Sequence, residues 1–347
     1  MPANYNKRVL YFLIAGVCLV LIFFSDYLGF FRGIDAYVYD LSFRIRGAQR
    51  HSERIVIASI DEKTLAKYGR WPIKRIYYAQ LIDRMRQASV VGFDVIFAER
   101  SEDDTVFAEA IKKHGRIIMP IYIDRELNKI GPLPLLSPFE TGHIHIAQDI
   151  DNVVREVFQT LYHNSIQLPS LSSVVYEAAS GKKMSREDVP AAYQDKEARQ
   201  SILQMDHLKI NYYGKPGTFQ HISVSDVIEG EFAPDFFKDK VVLVGLTAPG
   251  IVDMISTPFS QERNRMSGVE VHANILNNLI DGNSILDVSE KLRWISVIVL
   301  SFLCFFFFMK CSEKKSLLFW LFSLIMITTL AFYLLTAFNR WMNTPDR

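Results

Sequence analysis

Three uncharged apolar runs lie near the ends of the chain, at residues 9–24, 294–309 and 317–338. The first two contain sixteen residues each and the third contains twenty-two, close to the roughly 17–25 that a helix needs to cross a bilayer. The pattern predicts transmembrane helices at 9–26, 292–309 and 317–338. No small-residue cleavage site follows the first run, so we expect an uncleaved anchor and not a signal peptide.

The loop between the last two runs, residues 310–316, contains three lysines. Short loops rich in Lys and Arg stay in the cytoplasm, so this loop and the tail 1–8 are expected there. One helix out and one helix back then place residues 27–291 outside the cytoplasm. By the same parity, the short tail 339–347 is expected on the outer side of a multi-pass membrane protein.

The region between the membrane segments alternates short apolar runs with amphipathic stretches. It predicts strands at residues 54–60, 90–98 and 116–123, and helices at 73–88 and 103–114. The order strand, helix, strand, helix, strand favours a parallel sheet covered by helices. The expected fold class is therefore mixed α/β with a largely parallel sheet, in one large extracytoplasmic domain plus transmembrane helices.

The second half of this region is less regular. Residues 142–147 and 153–163 predict a β-hairpin around a turn at 149–152. The further predicted elements are a helix at 168–180, strands at 208–213 and 240–245, and a helix at 268–282 that ends on Gly282.

Composition excludes several classes of function. The formal net charge is +1, so the chain lacks the basic surplus of a nucleic-acid-binding protein. The cysteines are Cys18, Cys304 and Cys311, so the region between the membrane segments can hold neither a disulfide nor a thiolate site. Signatures of common hydrolases, zinc proteases and kinases are absent. We therefore predict no catalytic residue, no metal and no cofactor.

Carboxylates stand at the ends of two predicted strands. Asp61 follows RIVIASI, and Asp94 interrupts VVGFDVIF. Ligand sites lie at the carboxyl ends of parallel strands, so these acids could bind a cation or a polar ligand, or act as an acid–base pair. The alternatives are that Asp61 caps the following helix and that Asp94 is a buried structural acid. Asp253 and His272 complete the candidate ligand-binding set.

Two further motifs favour structural roles. The sequence GLTAPG at residues 245–250 has the glycine spacing of half a phosphate loop, but the Lys-Ser/Thr pair of such loops does not follow it. His143 and His145 share one face of a predicted strand at a spacing that metal ligands use, but no third ligand is obvious nearby.

Seven segments, taken in order, carry a resemblance to a known family. They are DLSFRIRG (40–47), IVIASIDEKTLAKYGRWPIKR (55–75), VVGFDVIFAE (90–99), GHIHIAQDIDNVVREV (142–157), YYGKPGTFQHISVSDVIEG (212–230), FKDKVVLVGLTAPGIVD (237–253) and GVEVHANILNNLIDGN (268–283). The chain resembles the second class of CHASE domains, the cyclase/histidine-kinase-associated sensory extracellular domains of bacteria.

The resemblance implies a sensor in a bacterial cytoplasmic membrane, with its main domain in the periplasm and an unidentified extracytoplasmic ligand. Family members usually have three helices after this domain, followed by a cytoplasmic output module. The two predicted C-terminal helices therefore suggest a receptor truncated before its output module, or one that signals through a separate partner; we expect a homodimer. Two alternatives are an exported hydrolase or metal-dependent enzyme using Asp61 and Asp94, and a structural envelope protein that binds a protein partner.

Overall fold

A computed structural model describes residues 16–17, 20–21, 24–25, 28–189, 202–233, 235–251, 254–260 and 264–341. Contacts between residues divide the chain into two compact units. The domain unit is Gly47–Ser284, and the flanking unit combines Met1–Arg46 with Ile285–Arg347. The domain unit lies inside the predicted sensor range 27–291, whose boundaries stay a prediction.

The elements are numbered in chain order. The strands are β1 (Ile55–Ile60), β2 (Val90–Asp94), β3 (Ile117–Ile123), β4 (Lys129–Ile130), β5 (Glu140–His143), β6 (Glu156–His163), β7 (Ile166–Pro169), β8 (Leu203–Lys209), β9 (Gln220–Ser223), β10 (Val241–Leu246), β11 (Leu286–Asp287) and β12 (Arg340–Trp341). The helices are α1 (Arg32–Arg46), α2 (Glu62–Tyr68), α3 (Arg75–Arg84), α4 (Asp104–His114), α5 (Leu171–Ser180), α6 (Val224–Glu229), α7 (Gly268–Asp281), α8 (Glu290–Lys310) and α9 (Glu313–Phe338).

A seven-stranded sheet forms the centre of the domain unit. Its order is β4-β3-β2-β10-β1-β9, with β5 also beside β3. The pairings are parallel except that of β3 with β4. All six residues of β1 are buried, which explains why its sequence is a continuous apolar run and not an alternating one. The predicted fold class, a mixed and largely parallel sheet, is confirmed.

Helices cover both faces of this sheet. On one face, Tyr78 of α3 and Phe107 of α4 pack against Phe93 of β2. On the other face, α5 and α7 belong to a second apolar cluster, in which Val175 joins Leu243 of β10. This arrangement is the helix-covered sheet that the alternating pattern predicts, and it leaves the carboxyl ends of the parallel strands at one edge.

Two predicted helix ends are confirmed in detail. Gly115 and Gly282 follow α4 and α7 with φ of 78° and 62°. Their N–H groups donate to the carbonyls of Ile111 and Asn278. Glycine adopts this left-handed conformation without steric cost, so the position of each glycine decides where the helix stops.

The predicted hairpin of residues 142–147 with 153–163 is wrong. A turn is present, because the N–H of Asn152 donates to the carbonyl of Asp149 at 2.8 Å and the N–H of Asp149 donates to the carbonyl of Val153 at 3.1 Å. However, β5 pairs in parallel with β3, whereas β6 pairs antiparallel with β7 and β8 in a separate three-stranded sheet. The tight hairpin turn is Asn164–Ser165, with φ of 48° and 65°, as in a two-residue loop of the favoured hairpin type.

The strand predicted at residues 208–213 is shifted in the structure to Leu203–Lys209. Beyond it, the backbone is held by asparagines of α7. The N–H of Asn211 donates to Asn278 Oδ1 at 2.8 Å, and that of Tyr213 donates to Asn274 Oδ1 at 3.0 Å. These side chains replace strand partners for a buried backbone that would otherwise be unsatisfied.

The flanking unit contains two long helices joined by a short connection. Phe307 of α8 and Phe319 of α9 stack with ring centroids 3.8 Å apart, and the hydroxyl of Ser316 donates to the carbonyl of Phe307 at 3.1 Å. Within the described part of the chain, one helix, Lys314–Phe338, is long and apolar enough to cross a membrane. The first predicted span lies mostly outside the described residues, and α8, which contains the second predicted span, does not meet this criterion, so the multi-pass arrangement stays a prediction.

Candidate functional site

Polar side chains gather on the α5 and α7 side of the sheet, near the carboxyl ends of its strands. The strands contribute Ser59, Asp94 and His221, and the start of α7 contributes Glu270 and His272. Two groups result: a buried cluster around Asp94 and His272, and an open cleft around His221 and Glu270. Both lie in the domain unit.

Asp94 ends β2 and lies against the start of α7. A Cβ atom placed on Gly268 would be 3.2 Å from its Oδ2 atom, and no hydrogen bond to the carboxylate exists among the described residues. Burial raises the pKa of Asp94, and nearby His272 opposes this shift. Burial likewise lowers the pKa of His272, against the effect of Asp94. The structure therefore brings these two predicted residues together.

Two further histidines extend this buried cluster. His272 Nδ1 lies 3.0 Å from the hydroxyl of Ser172. His143 is fully buried, and neither of its ring nitrogens has a hydrogen-bond partner. Its ring centroid is 5.6 Å from that of Phe158 and 6.1 Å from that of His145. Burial, together with His145 and His272, holds the pKa of His143 well below its usual value, so the ring is neutral at pH 7.

The structure favours a structural role for the His143–His145 pair. His145 Nε2 accepts a hydrogen bond from the N–H of Ile123 at 2.8 Å, so this nitrogen is occupied by the backbone. Among the described residues, the carboxylates that lie close enough together to hold a metal ion are elsewhere, at Asp226, Glu229 and Glu231. Asp226 and Glu229 form ion pairs with Lys63 and Lys67, as expected of a solvated acidic surface.

Asp61 is the N-cap of α2. Its Oδ1 atom accepts hydrogen bonds from the N–H of Thr64 at 2.9 Å, from the hydroxyl of Thr64 at 2.7 Å and from the hydroxyl of Ser223 at 2.9 Å. These bonds satisfy an N–H group at the start of α2 that has no acceptor within the helix. Asp61 therefore has the helix-capping role that was the structural alternative to a ligand site. No hydrogen bond joins Asp61 to Asp94 among the described residues, and Asp253 lies outside them.

The cleft has a volume of 310 Å³ and was not predicted from the sequence. Its polar lining is His221, Thr247, Arg265, Ser267 and Glu270. These residues are distant in sequence, but His221 and Glu270 lie within the segments 212–230 and 268–283 that carry the family resemblance. Those segments are therefore the signal that could have located the cleft.

A buried carboxylate lies at the base of the cleft. Glu270 is 2% exposed, and its Oε1 atom accepts hydrogen bonds from the N–H groups of Gly217 at 2.8 Å and Thr218 at 3.0 Å. His221 Nε2 lies 3.6 Å from Glu270 Oε2, and His221 Nδ1 lies 2.8 Å from Ser59 Oγ. The backbone donors compensate the buried charge and tie the loop after Gly214 to α7.

The order serine, histidine, acid in this chain of contacts resembles a hydrolase triad, but its geometry does not suit one. Ser59 lies inside β1 between two parallel neighbours and is 4% exposed. A nucleophile needs room for a substrate carbonyl about 3 Å away, and a buried hydroxyl in the middle of a sheet offers none. The contacts therefore position Glu270 and His221 and do not form a catalytic site.

A comparison of the sequence with models of known protein families shows which family the chain belongs to. The family model of the CHASE2 domain matches residues 14–312, which is most of the chain. The chain belongs to the CHASE2 family. CHASE2 domains are extracellular sensory domains of signalling receptors and are not catalytic. No curated protein and no solved structure gives a significant match.

The first prediction concerns Asp94 of this CHASE2 domain. Because its pKa is raised in the folded state, its ionised form opposes folding at neutral pH. Asp94→Asn is therefore expected to fold and to have an equal or higher free energy of unfolding at pH 7. Asp61→Ala, measured by the same chemical unfolding, should cost about 0.5–2 kcal/mol through the lost cap. A clear loss of stability in Asp94→Asn, without change in any ligand response, would mark Asp94 as structural.

The second prediction concerns pH. In the folded chain, the pKa values of His143, His145 and His272 are lowered from 6.5. On acidification, these histidines therefore become protonated in the unfolded chain at pH values at which they stay neutral in the folded chain. Stability is therefore present above about pH 6.5 and is lost as pH falls, by up to about 1.4 kcal/mol per pH unit for each of the buried His143 and His272 and by less for the partly exposed His145. Unfolding free energies measured between about pH 7.5 and pH 5.5 should fall less steeply in His143→Leu.

His207 provides a control of opposite sign. A hydrogen bond to Glu156 raises the pKa of His207, so its contribution to stability is present at low pH and is lost as pH rises. His207→Gln should therefore make the loss of stability on acidification steeper. Equal slopes in the wild-type chain and both variants would contradict this account.

Proposed function

We propose that the chain is the input part of a bacterial transmembrane receptor. The domain unit binds a small extracytoplasmic solute, and binding changes the position of α8 and α9. Membership of the CHASE2 family supports the sensory role. A ligand can shift such a receptor only through a difference in its affinity for the two states, so the chain that leaves the domain has to respond to occupancy of the site.

One junction in the flanking unit carries this proposal. The segment that leaves the domain forms β11, and β12 pairs with it in parallel just after α9. The N–H of Leu286 donates to the carbonyl of Asn339 at 2.8 Å, and that of Val288 donates to the carbonyl of Trp341 at 2.7 Å. Any movement of residues 286–288 therefore reaches the ends of both helices through backbone hydrogen bonds.

The same junction includes α1. Trp341 is 2% exposed, its ring centroid is 5.0 Å from that of Tyr39, and its Nε1–H donates to Asp35 Oδ2 at 3.4 Å. Three chain segments thus meet at one place: the helix before the domain, the exit from the domain and the end of α9. A displacement of one segment is expected to change the positions of the other two, because their contacts are buried.

The junction also supports the proposed topology. Because β11 precedes α8 and β12 follows α9, the chain returns to the level at which it left the domain. This return requires an even number of crossings, which fits two spans, α8 and α9. Lys310, Lys314 and Lys315 lie near the opposite end of the pair, as cytoplasmic loop residues would.

The third prediction tests this topology. A periplasm-active reporter fused after Gly230 should be active, and a cytoplasm-active reporter fused after Glu313 should be active as well, because the lysine-rich loop stays inside. The controls are the cytoplasm-active reporter fused after Gly230 and the periplasm-active reporter fused after Glu313, and both should be inactive. Reversed activities would show that the domain faces the cytoplasm.

We further propose that the receptor acts as a homodimer in which the segment 284–291 moves relative to its counterpart. Single cysteines along this segment, in a chain with Cys18, Cys304 and Cys311 replaced, should crosslink in membranes at some positions. Leu286, Asp287 and Glu290 are exposed and suit this test. Ile285 is 2% exposed, and a cysteine there is the matched control that should not crosslink. If no position crosslinks in folded protein, a monomer coupled to a separate partner becomes the better account.

The output module of the receptor is proposed to be a cyclase, a kinase or a related signalling domain. It follows the present chain in a longer protein, which we favour, or belongs to a separate partner. The coding sequence downstream of Arg347 distinguishes the two: a further apolar helix followed by an output domain in the same reading frame supports the first arrangement, and a stop codon supports the second.

A further inference from the structure

The cleft at the start of α7 is lined by side chains of opposite charge that do not pair with each other. Arg265 lines it and is exposed, and its guanidinium makes no ion pair or hydrogen bond among the described residues. Glu270 lines the same cleft as a buried carboxylate, and no ion pair joins it to Arg265 within the described part of the chain. The cavity therefore separates a cation from an anion that do not neutralise each other.

Ser267 adds a free donor on the same side. It is 4% exposed and occupies the N-cap position of α7, yet its side chain makes no capping hydrogen bond. Its hydroxyl lines the cleft and has no partner among the residues that the structure describes. The first N–H groups of a helix also lack intrahelical acceptors, which makes a helix start favourable for anions. α7 has fourteen residues, enough for this effect.

The charges at this edge argue against a dianion. Glu270 lies in the cleft as a buried carboxylate, and the cleft lining that the structure describes contains one arginine and no lysine. A ligand with two negative charges, such as a phosphate ester or a dicarboxylate, would meet the Glu270 carboxylate with a single guanidinium to offset it. A ligand with one carboxylate and one ammonium group would match each side of the cleft.

The remaining lining fits the rest of such a molecule. Phe219 and Met254 contribute apolar surface, and Thr247 contributes a hydroxyl. The volume of 310 Å³ is at the small end of the range of roughly 300–1,000 Å³ for ligand pockets, which suits a small metabolite. The location is also favourable, because ligands of parallel α/β sheets bind beside the carboxyl ends of the strands.

We propose that this cleft binds an amino acid or a closely similar zwitterion. The ligand carboxylate contacts Arg265 and Ser267, and its ammonium group contacts Glu270. This proposal rests on the proposed sensor function and gives it a ligand class. Glu270 already accepts hydrogen bonds from the N–H groups of Gly217 and Thr218. An ammonium group at its carboxylate therefore lies beside the loop that these bonds connect to α7.

The first test uses the full chain purified in detergent and follows its thermal unfolding. The standard L-amino acids are added singly at millimolar concentration, beside the matched carboxylic acids without the amine, the matched amines without the carboxylate, and inorganic phosphate. We expect one or a few amino acids to raise Tm and their one-charge analogues to have no effect. A shift as large with the carboxylic acids or phosphate, or no shift with any amino acid, would overturn the proposal.

The second test locates the binding site. Arg265→Gln should raise the Kd of the responding amino acid by about tenfold to a hundredfold, which corresponds to the usual free energy of a charge-assisted hydrogen bond. Ser267→Ala should raise the Kd by about two- to tenfold. Arg265 is exposed and unpaired, so its replacement should leave the fold intact. Arg125→Gln removes the same charge from another exposed position and should leave Kd unchanged. Unaltered affinity in Arg265→Gln would place the ligand elsewhere.

The cysteine crosslinking along 284–291 separates this proposal from the sensor function. If a solute of another class changes the crosslinking pattern, and amino acids do not bind, the sensor function stands and the zwitterion site is wrong. If an amino acid binds through Arg265 but leaves the pattern unchanged, the cleft assignment stands and the relay through the membrane helices is wrong.

Discussion

Arg75→Gln is expected to lower the free energy of unfolding by about 3–5 kcal/mol, the cost of breaking a buried ion pair. Arg75 begins α3 and donates to the carboxylate of Asp104 and to the carbonyl of Glu99. Arg75 and Asp104 are each 7% exposed, and the guanidinium lies 5.7 Å from the ring centroid of Phe97. Without its cation, the Asp104 carboxylate would remain buried at the start of α4 with no counter-charge, although it would keep the hydrogen bond that it accepts from the N–H of Ser101 at 3.0 Å.

Chemical unfolding of the variant checks this expectation. Arg86→Gln is the matched control, because Arg86 pairs with Asp83 at 2.6 Å on the exposed surface, where such pairs contribute about 0.2–1 kcal/mol. Combining Arg75→Gln with Asp104→Asn should recover part of the loss, since no unpaired charge is then buried. Equal costs for the two arginine replacements would contradict the assigned role of Arg75.

Gly142→Ala is expected to be the most damaging methyl addition in the domain unit, with a loss of about 1–3 kcal/mol or more. Gly142 lies in β5, where α5 begins beside the strand. A Cβ atom there would be 2.6 Å from the Cα of Leu171 and 2.9 Å from the carbonyl carbon of Ser170. These are backbone atoms, so a rotamer change is not enough to relieve the clash, and β5 and α5 would have to separate.

The control for this variant is Gly33→Ala in α1. A Cβ atom at Gly33 meets nothing within 4 Å, and alanine is favoured over glycine inside a helix by about 1 kcal/mol. This substitution should leave stability unchanged or raise it. A thermal or chemical unfolding midpoint for Gly142→Ala as high as that of Gly33→Ala would show that β5 and α5 have more space than the structure gives them.

Much of the fold was predictable because it depends on neighbouring residues. The strands predicted at 54–60, 90–98 and 116–123 follow from local apolar periods and form as Ile55–Ile60, Val90–Asp94 and Ile117–Ile123, so the second is shorter than predicted. The helix predicted at 73–88 is likewise shorter, at Arg75–Arg84, whereas Gly115 and Gly282 stop their helices through their own backbone preference. The family also followed from sequence alone, because seven ordered segments carry the resemblance.

Other features could not be predicted because their partners are far apart in the chain. The apolar pattern of residues 142–163 indicates strands but not their neighbours, and the hairpin prediction failed for that reason. Asp61 illustrates a second difficulty. A carboxylate after a strand is compatible with a ligand site or a helix cap, and only the positions of Thr64 and Ser223 decided for the cap.

The sequence by itself determined the strands and helices of the first half of the domain, the helix ends at Gly115 and Gly282, and the family. The tertiary structure decided which polar groups meet. Asp94 meets His272, and Ser59, His221 and Glu270 form one chain of contacts, because parallel pairing of β1, β9 and β10 brings their carboxyl ends to the start of α7. β11 and β12, about fifty residues apart in sequence, likewise meet only once α8 and α9 have folded back on each other. Local pattern cannot encode these meetings, because contacts between distant residues depend on the path of the whole chain.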